Sequence, residues 1–283
     1  MNKKMLSILV LLMVISGFFF GKMTVAVSIV PQETFVKKVA GDLVDTIIMI
    51  PPGYSPANYA PNPRDLQKLS ESVLYFSIGV PTEAANIIPK LGSFNDKIEV
   101  VPLHEKVERF FEMRTIDGTR DPHIWLSPRR VIEMVEIIAE KLSEYDPENT
   151  VVYEKNAREF IRELYDLNSE IALSLNGIKN KNFVVYHPAF GYFADDYGLN
   201  MIALEEHGKQ ATPKRIQEVV DLAKKEGIKA IFYQKEIDNR QTQAFAEEIG
   251  GITVQVVPLS PDYVNNLRKM ADMFKTIIEK EGN

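Results

Sequence analysis

Between Pro147 and Gly177 the chain contains neither proline nor glycine, and Phe160, Leu164, Leu167 and Ile171 recur on one face of that stretch. It reads as a single unbroken helix, because sharp kinks need Pro, Gly or a bulge. On both sides the sequence alternates short apolar runs with longer helical patterns. Before the helix, 24–30, 44–49, 73–78 and 98–103 read as strands. Helices are expected over 32–42, 65–72 and from Pro128 onward, the last capped by Ser127. After it, 183–186, 201–204, 230–233 and 253–257 read as strands. Helices there begin at Thr212-Pro213 and stop at Gly227, then cover 239–249 and 262–280. Such alternation implies parallel sheets covered by helices. The expected fold is α/β, with two lobes of parallel β-sheet flanked by helices and joined by one long helix. A ligand is then expected in the cleft between lobes, at the carboxyl ends of strands.

The first 22 residues stand apart. Lys3 and Lys4 precede an apolar run over 5–20, the pattern of an export signal. The run is short for a membrane span, and it is either cleaved near Lys22 or kept as an N-terminal anchor. The expected division is 1–22 signal peptide or anchor, 23–146 N-terminal lobe, 147–177 linking helix and 178–283 C-terminal lobe. The mature part is expected outside the cytoplasm, periplasmic or extracytoplasmic.

Composition narrows the chemistry. There is no cysteine among the 283 residues, which excludes disulfides, thiolate metal sites and thiol catalysis. A metal site must draw on His, Asp, Glu, Asn, Gln or water, and the only histidines are His104, His123, His187 and His207. A net charge of -6 argues against nucleic-acid binding. No glycine-rich phosphate cradle and no serine nucleophile elbow is present.

His187 directly follows the strand 183–186, so it sits where sites are built; the alternative is a hydrogen-bonded structural histidine. His123, in Asp121-Pro122-His123-Ile124-Trp125, is held on a short loop before the Ser127-capped helix; the alternative is a loop histidine packed on Trp125. Asp262 opens the last helix, where a carboxylate either reaches a site or caps the helix. Glu205, Glu206 and Gln234 end strands, and each is also readable as a solvated loop residue. His104 reads as a surface loop residue. His207, in a polar turn, is a further candidate. Two imidazoles and a carboxylate from separate loops suit zinc, and could suit manganese or iron.

Four segments resemble the zinc/manganese-type solute-binding proteins of ABC transporters. They are Pro52-Gly53-Tyr54-Ser55-Pro56-Ala57-Asn58-Tyr59-Ala60-Pro61-Asn62-Pro63; Asp121 to Pro128; His187-Pro188-Ala189-Phe190-Gly191-Tyr192-Phe193; and Pro258-Leu259 with Asp262-Tyr263. The resemblance implies that the long helix is rigid and that the metal ligands are His123, His187 and Asp262. It also marks departures. The family's first histidine falls on Ala57, with Asn58 beside it, and the family's glutamate in the second lobe falls on Gln234. Glu205, His207, Asn58 and Gln234 are the residues left to supplement the site.

The function so implied is extracytoplasmic binding of a divalent metal ion, zinc first among them, and delivery to an ABC membrane permease by a monomer without enzymatic activity. Two alternatives stand beside it. One is an extracytoplasmic metallohydrolase with an open zinc site and Glu205 or Glu206 as base. The other is a weakly binding, adhesin-like family member.

Overall fold

A computed structural model describes residues 22–205, 209–236 and 240–281. Residues 1–21 of the expected signal segment, Glu206 and His207 lie outside the described residues. Among those described, no helix is long and apolar enough to cross a membrane.

The first lobe holds a parallel sheet of four strands, β1 (Met23–Val27), β2 (Val44–Ile48), β3 (Leu74–Ser77) and β4 (Glu99–Pro102), in the order β2-β1-β3-β4. The second lobe repeats the plan. Its strands are Asn182–Val185, Asn200–Ala203, Ala230–Gln234 and Ile252–Val256, and the first of them lies inside the sheet between the second and third. Between the sheets run two antiparallel helices, Pro128–Tyr145 and Thr150–Leu175. The second is the expected linking helix, preceded by a short 3₁₀ turn at Pro147–Asn149.

Side-chain alternation explains how each sheet is covered. Val25, Val27, Leu74 and Phe76 face the main core, while Ala26 and Tyr75 face a smaller cluster with Leu66, Leu69, Ile87 and Leu91. In the second sheet Phe183, Val185 and Phe232 face the main core, and Val184, Tyr186 and Ile231 pack on Val219 and Phe245. The main core is continuous through both lobes, because the linking helix contributes Tyr153, Phe160, Leu164, Leu167 and Ile171 to it. Phe274, in the last helix Tyr263–Glu281, packs on Phe183, Phe190, Phe193 and Phe232 at ring-centroid distances of 5.1, 5.3, 5.5 and 4.6 Å. Aromatic pairs at such distances add about 0.5–1.5 kcal/mol each beyond burial.

Several elements depart from the sequence reading, the following three among them. The first helix starts at Val30 rather than at residue 32, because Gln32 Oε1 accepts from the backbone N–H groups of Ser28 and Ile29 and ends the strand early. A hairpin, Thr115–Ile116 with Thr119–Arg120, turns at Asp117 and Gly118, both at positive φ (51° and 77°). Asp-Gly is the pair such a two-residue turn demands. A short helix, Leu103–Val107, lies where a surface loop was expected for His104. His104 is instead largely buried against Gly79 and Arg120, and burial and the Arg120 charge lower its pKa to about 4.

Contacts across the cleft also hold the lobes. Trp125 Nε1 donates to Pro258 O at 3.0 Å, and Tyr263 Oη donates to Trp125 O at 2.8 Å. Phe35 meets Tyr263 edge-on at 4.9 Å, and Thr34 Oγ1 donates to Pro261 O at 2.7 Å. With an uninterrupted helix between the lobes, cargo binding is expected to move them little. Small-angle scattering profiles of apo and zinc-loaded chain should nearly overlap, and a large compaction on loading would contradict the rigid linkage.

Candidate metal centre

The two lobes bring His123 and His187 face to face. Their Nε2 atoms stand 3.2 Å apart and their rings are nearly perpendicular, at 77°. They line a cavity of about 260 Å³ together with Ser55, Pro56, Ala57, Arg120, Trp125, Gln234 and Leu259.

His123 is positioned by local geometry. Asp121 Oδ1 accepts from the backbone N–H of His123 at 3.0 Å and from its ring Nδ1 at 2.7 Å. A 3₁₀ turn, Ile124–Leu126, follows at once, and the Trp125 ring lies 5.2 Å from the imidazole. His123 is buried, which pushes its pKa below the ordinary imidazole value against the opposing pull of Asp121. The histidine thus packs on Trp125 and faces the cavity at the same time.

His187 is positioned by strand register. Val185 pairs laterally with Ala203 and with Phe232, so two residues further on His187 falls level with Glu205 and Gln234. Glu205 Oε2 lies 2.6 Å from His187 Nδ1, and the Glu205 backbone N–H is fixed on Tyr186 O at 2.8 Å. Gln234 is buried, with Nε2 unpartnered among the described residues.

The chemistry follows from these bonds. With each Nδ1–H donated to a carboxylate, each Nε2 carries its lone pair, and two lone pairs 3.2 Å apart repel unless a cation lies between them. Two nitrogens on one tetrahedral zinc at about 2.0–2.1 Å stand roughly 3.3 Å apart. Carboxylates on the far ring nitrogens raise ligand basicity and fix the tautomer.

The other expected residues lie elsewhere. Asp262 is exposed at the head of the last helix; its carboxylate accepts from Asn265 Nδ2 at 3.0 Å, and it does not line the cavity. By that point the chain has passed Pro258 and Leu259, which do line it, and has turned outward to start the helix. Asn58 is exposed and outside the lining, whereas Ala57 is within it. Among the described residues, no group of three or more His, Asp or Glu side chains is placed to hold an ion. Asp121 was legible only as part of a motif. Its role was signalled by its place two residues before His123, the spacing of a side chain that caps a tight turn.

Comparisons with known proteins bear on the family and the fold. At 28% identity, the zinc-binding protein AdcA of Streptococcus pyogenes serotype M3 matches 93% of this chain, which spans about half of that relative's length, 57%. The high-affinity zinc uptake system protein ZnuA of Bacillus subtilis strain 168 is 26% identical over 82% of this chain and 77% of its own. A crystal structure of ZnuA superposes with a TM-score of 0.86 at 32% identity, covering 91% of this chain and all of that one, 100%. Residues 25–277 match the family model of ZnuA, zinc-uptake complex component A, periplasmic, and the chain belongs to that family of metal-binding solute-binding proteins.

Proposed function

We propose that this chain captures a zinc ion outside the cytoplasm and hands it to an ABC membrane permease. The observation that carries this reading is the opposed pair of Nε2 atoms, 3.2 Å apart, each ring held from behind by a carboxylate. In this reading His123 and His187 are the protein's imidazole ligands, with Asp121 and Glu205 orienting them, and water or a further donor completes the shell. Manganese and iron are weaker competitors, because the affinity of a given nitrogen site is lowest for manganese, then iron, and higher for zinc. Residues 1–22 serve as the export signal or anchor, residues 23–146 and 178–283 as the two lobes, and the chain acts as a monomer. The hydrolase reading loses one of its two candidate bases: Glu205 is engaged on His187 Nδ1 rather than free to activate water, and Glu206 lies outside the described residues. In this reading the chain carries the ion and does not catalyse.

Calorimetry on chelator-stripped protein is expected to show one zinc per chain. The pH dependence has a definite sign. Only neutral imidazole ligates, and burial keeps His123 neutral to a lower pH than the ordinary value of about 6.5. Binding should therefore persist down to about pH 6 and weaken progressively below it. Failure to bind zinc at micromolar concentration at pH 7.5 would refute the proposal.

A further inference from the structure

Resting on the zinc-capture reading, we infer that Arg114 is a positioning residue that ties docking of the two lobes to alignment of the cation site. Its guanidinium joins both. Nη1 reaches both carboxylate oxygens of Asp195 in the second lobe, at 2.8 and 2.7 Å. Nε lies 3.4 Å from Oδ2 of Asp121, whose other oxygen holds the His123 ring. Backbone bonds reinforce the same link. The Arg114 N–H donates to Tyr192 Oη at 3.1 Å, Tyr192 Oη donates to Asp121 O at 3.2 Å, and the Asp121 N–H donates to Arg114 O at 2.8 Å.

Tyr192 and Asp195 belong to the helix Gly191–Tyr197, which begins four residues after His187 in the sequence. One segment of the second lobe thus carries one imidazole and grips the segment that carries the other. Gly191 makes the grip possible. A Cβ there would lie 2.1 Å from Arg114 Nε and 2.6 Å from Asp121 Oδ2, so any larger residue would displace the pair.

The geometry gives the link its consequence. Asp121 is fully buried, with Oδ2 beside Arg114 Nε and Oδ1 on the His123 ring. Arg114 thus fixes one side of the carboxylate whose other oxygen holds the His123 Nδ1–H and turns Nε2 toward the cavity. A small local shift at the exposed Asp195 end is enough to move the guanidinium away from Asp121. Release of the ion then accompanies loosening of this contact and not a wide opening of the lobes, which the linking helix resists.

The test compares zinc affinity and dissociation rate among variants of the full chain. Arg114→Met is expected to weaken zinc binding by about 10–100-fold, the usual cost of losing a partner behind a ligand, mostly through faster dissociation. Arg114→Lys should recover part of that loss, and Asp195→Asn should cost a smaller factor of roughly three to ten, on the same scale. Arg130→Lys is the control. Arg130 also bridges the lobes, to Asp196 at 3.0 Å, and meets this network only at the Tyr192 ring, 4.4 Å from its centroid, where the conservative Arg130→Lys keeps the charge. A merely structural role for Arg114 predicts that Arg130→Lys and Arg114→Met harm zinc binding alike at equal loss of thermal midpoint. That result, or an unchanged dissociation rate in Arg114→Met, would overturn the inference. If Arg114→Met does not fold, the exposed Asp195→Asn against the same control decides the question. A wild-type chain that binds no zinc would remove the premise, and the zinc-capture reading with it.

Discussion

Replacing His123 or His187 with alanine is expected to lower zinc affinity by more than a hundredfold. Each imidazole is one of only two such groups facing the cavity among the described residues, and each is pre-aimed by a carboxylate behind it. Removing the carboxylates themselves, as in Asp121→Asn or Glu205→Gln, should cost less, about 10–100-fold, because the ligand remains and only its orientation and basicity suffer. Asp262→Ala and His104→Ala should change affinity less than twofold. Asp262 is engaged at the helix start and His104 packs on Gly79 and Arg120, and neither lines the cavity. Competition titration against a chromophoric chelator ranks all six variants. A loss below tenfold for either histidine variant, or an equal loss for Asp262→Ala, would mean that the ion sits elsewhere.

Ala57→His is expected to tighten zinc binding tenfold or more. The segment resembling the family's first-histidine loop brings Ala57 to the wall of the cavity that His123 and His187 share. The loop is pinned by Pro52, Pro56, Pro61 and Pro63, whose fixed φ angles limit its freedom, and the Ala57 N–H is held by Ser55 Oγ at 3.3 Å. A side chain grown from position 57 therefore enters the cavity with little ordering cost, and a third neutral imidazole completes a common zinc donor set. The same titration measures the gain, and absorption spectra of the cobalt-substituted variant would report the added nitrogen. Unchanged or weaker zinc binding would show that another donor already occupies that direction.

Much of this architecture was legible in the chain. The strand–helix alternation, the Pro- and Gly-free stretch ahead of Gly177 and the Ser127-Pro128 and Thr212-Pro213 caps mark elements whose signals are local, and the structure forms them within a few residues of where the sequence puts them. His123 and His187 were legible as candidates, because a histidine at a strand end or ahead of a capped helix stands out in a chain with only four, and the structure brings the two together. Local signals have limits. The Asp117-Gly118 hairpin is absent from the expected elements although its turn residues announce it, and its residues Ile116 and Thr119 line the cavity. The resemblance makes Asp262 a ligand, whereas the structure leaves it exposed outside the cavity lining, because sequence gives its position along the chain but not the direction its side chain takes once the last helix has started.

What only the tertiary structure decided are the pairings. The offsets between parallel strands, and nothing in any one segment, set Glu205 and Gln234 level with His187. The linking helix and the cross-cleft bonds bring Asp195 to Arg114 and the two Nε2 atoms to 3.2 Å, across 64 residues of sequence. The physical reason is one of range. Helix caps, turns and apolar periodicity are fixed by neighbours within a few residues, so the sequence by itself determined the elements and the two imidazoles. A site assembled from two lobes depends on register and packing between segments far apart in the chain, and those exist only once the common core has formed.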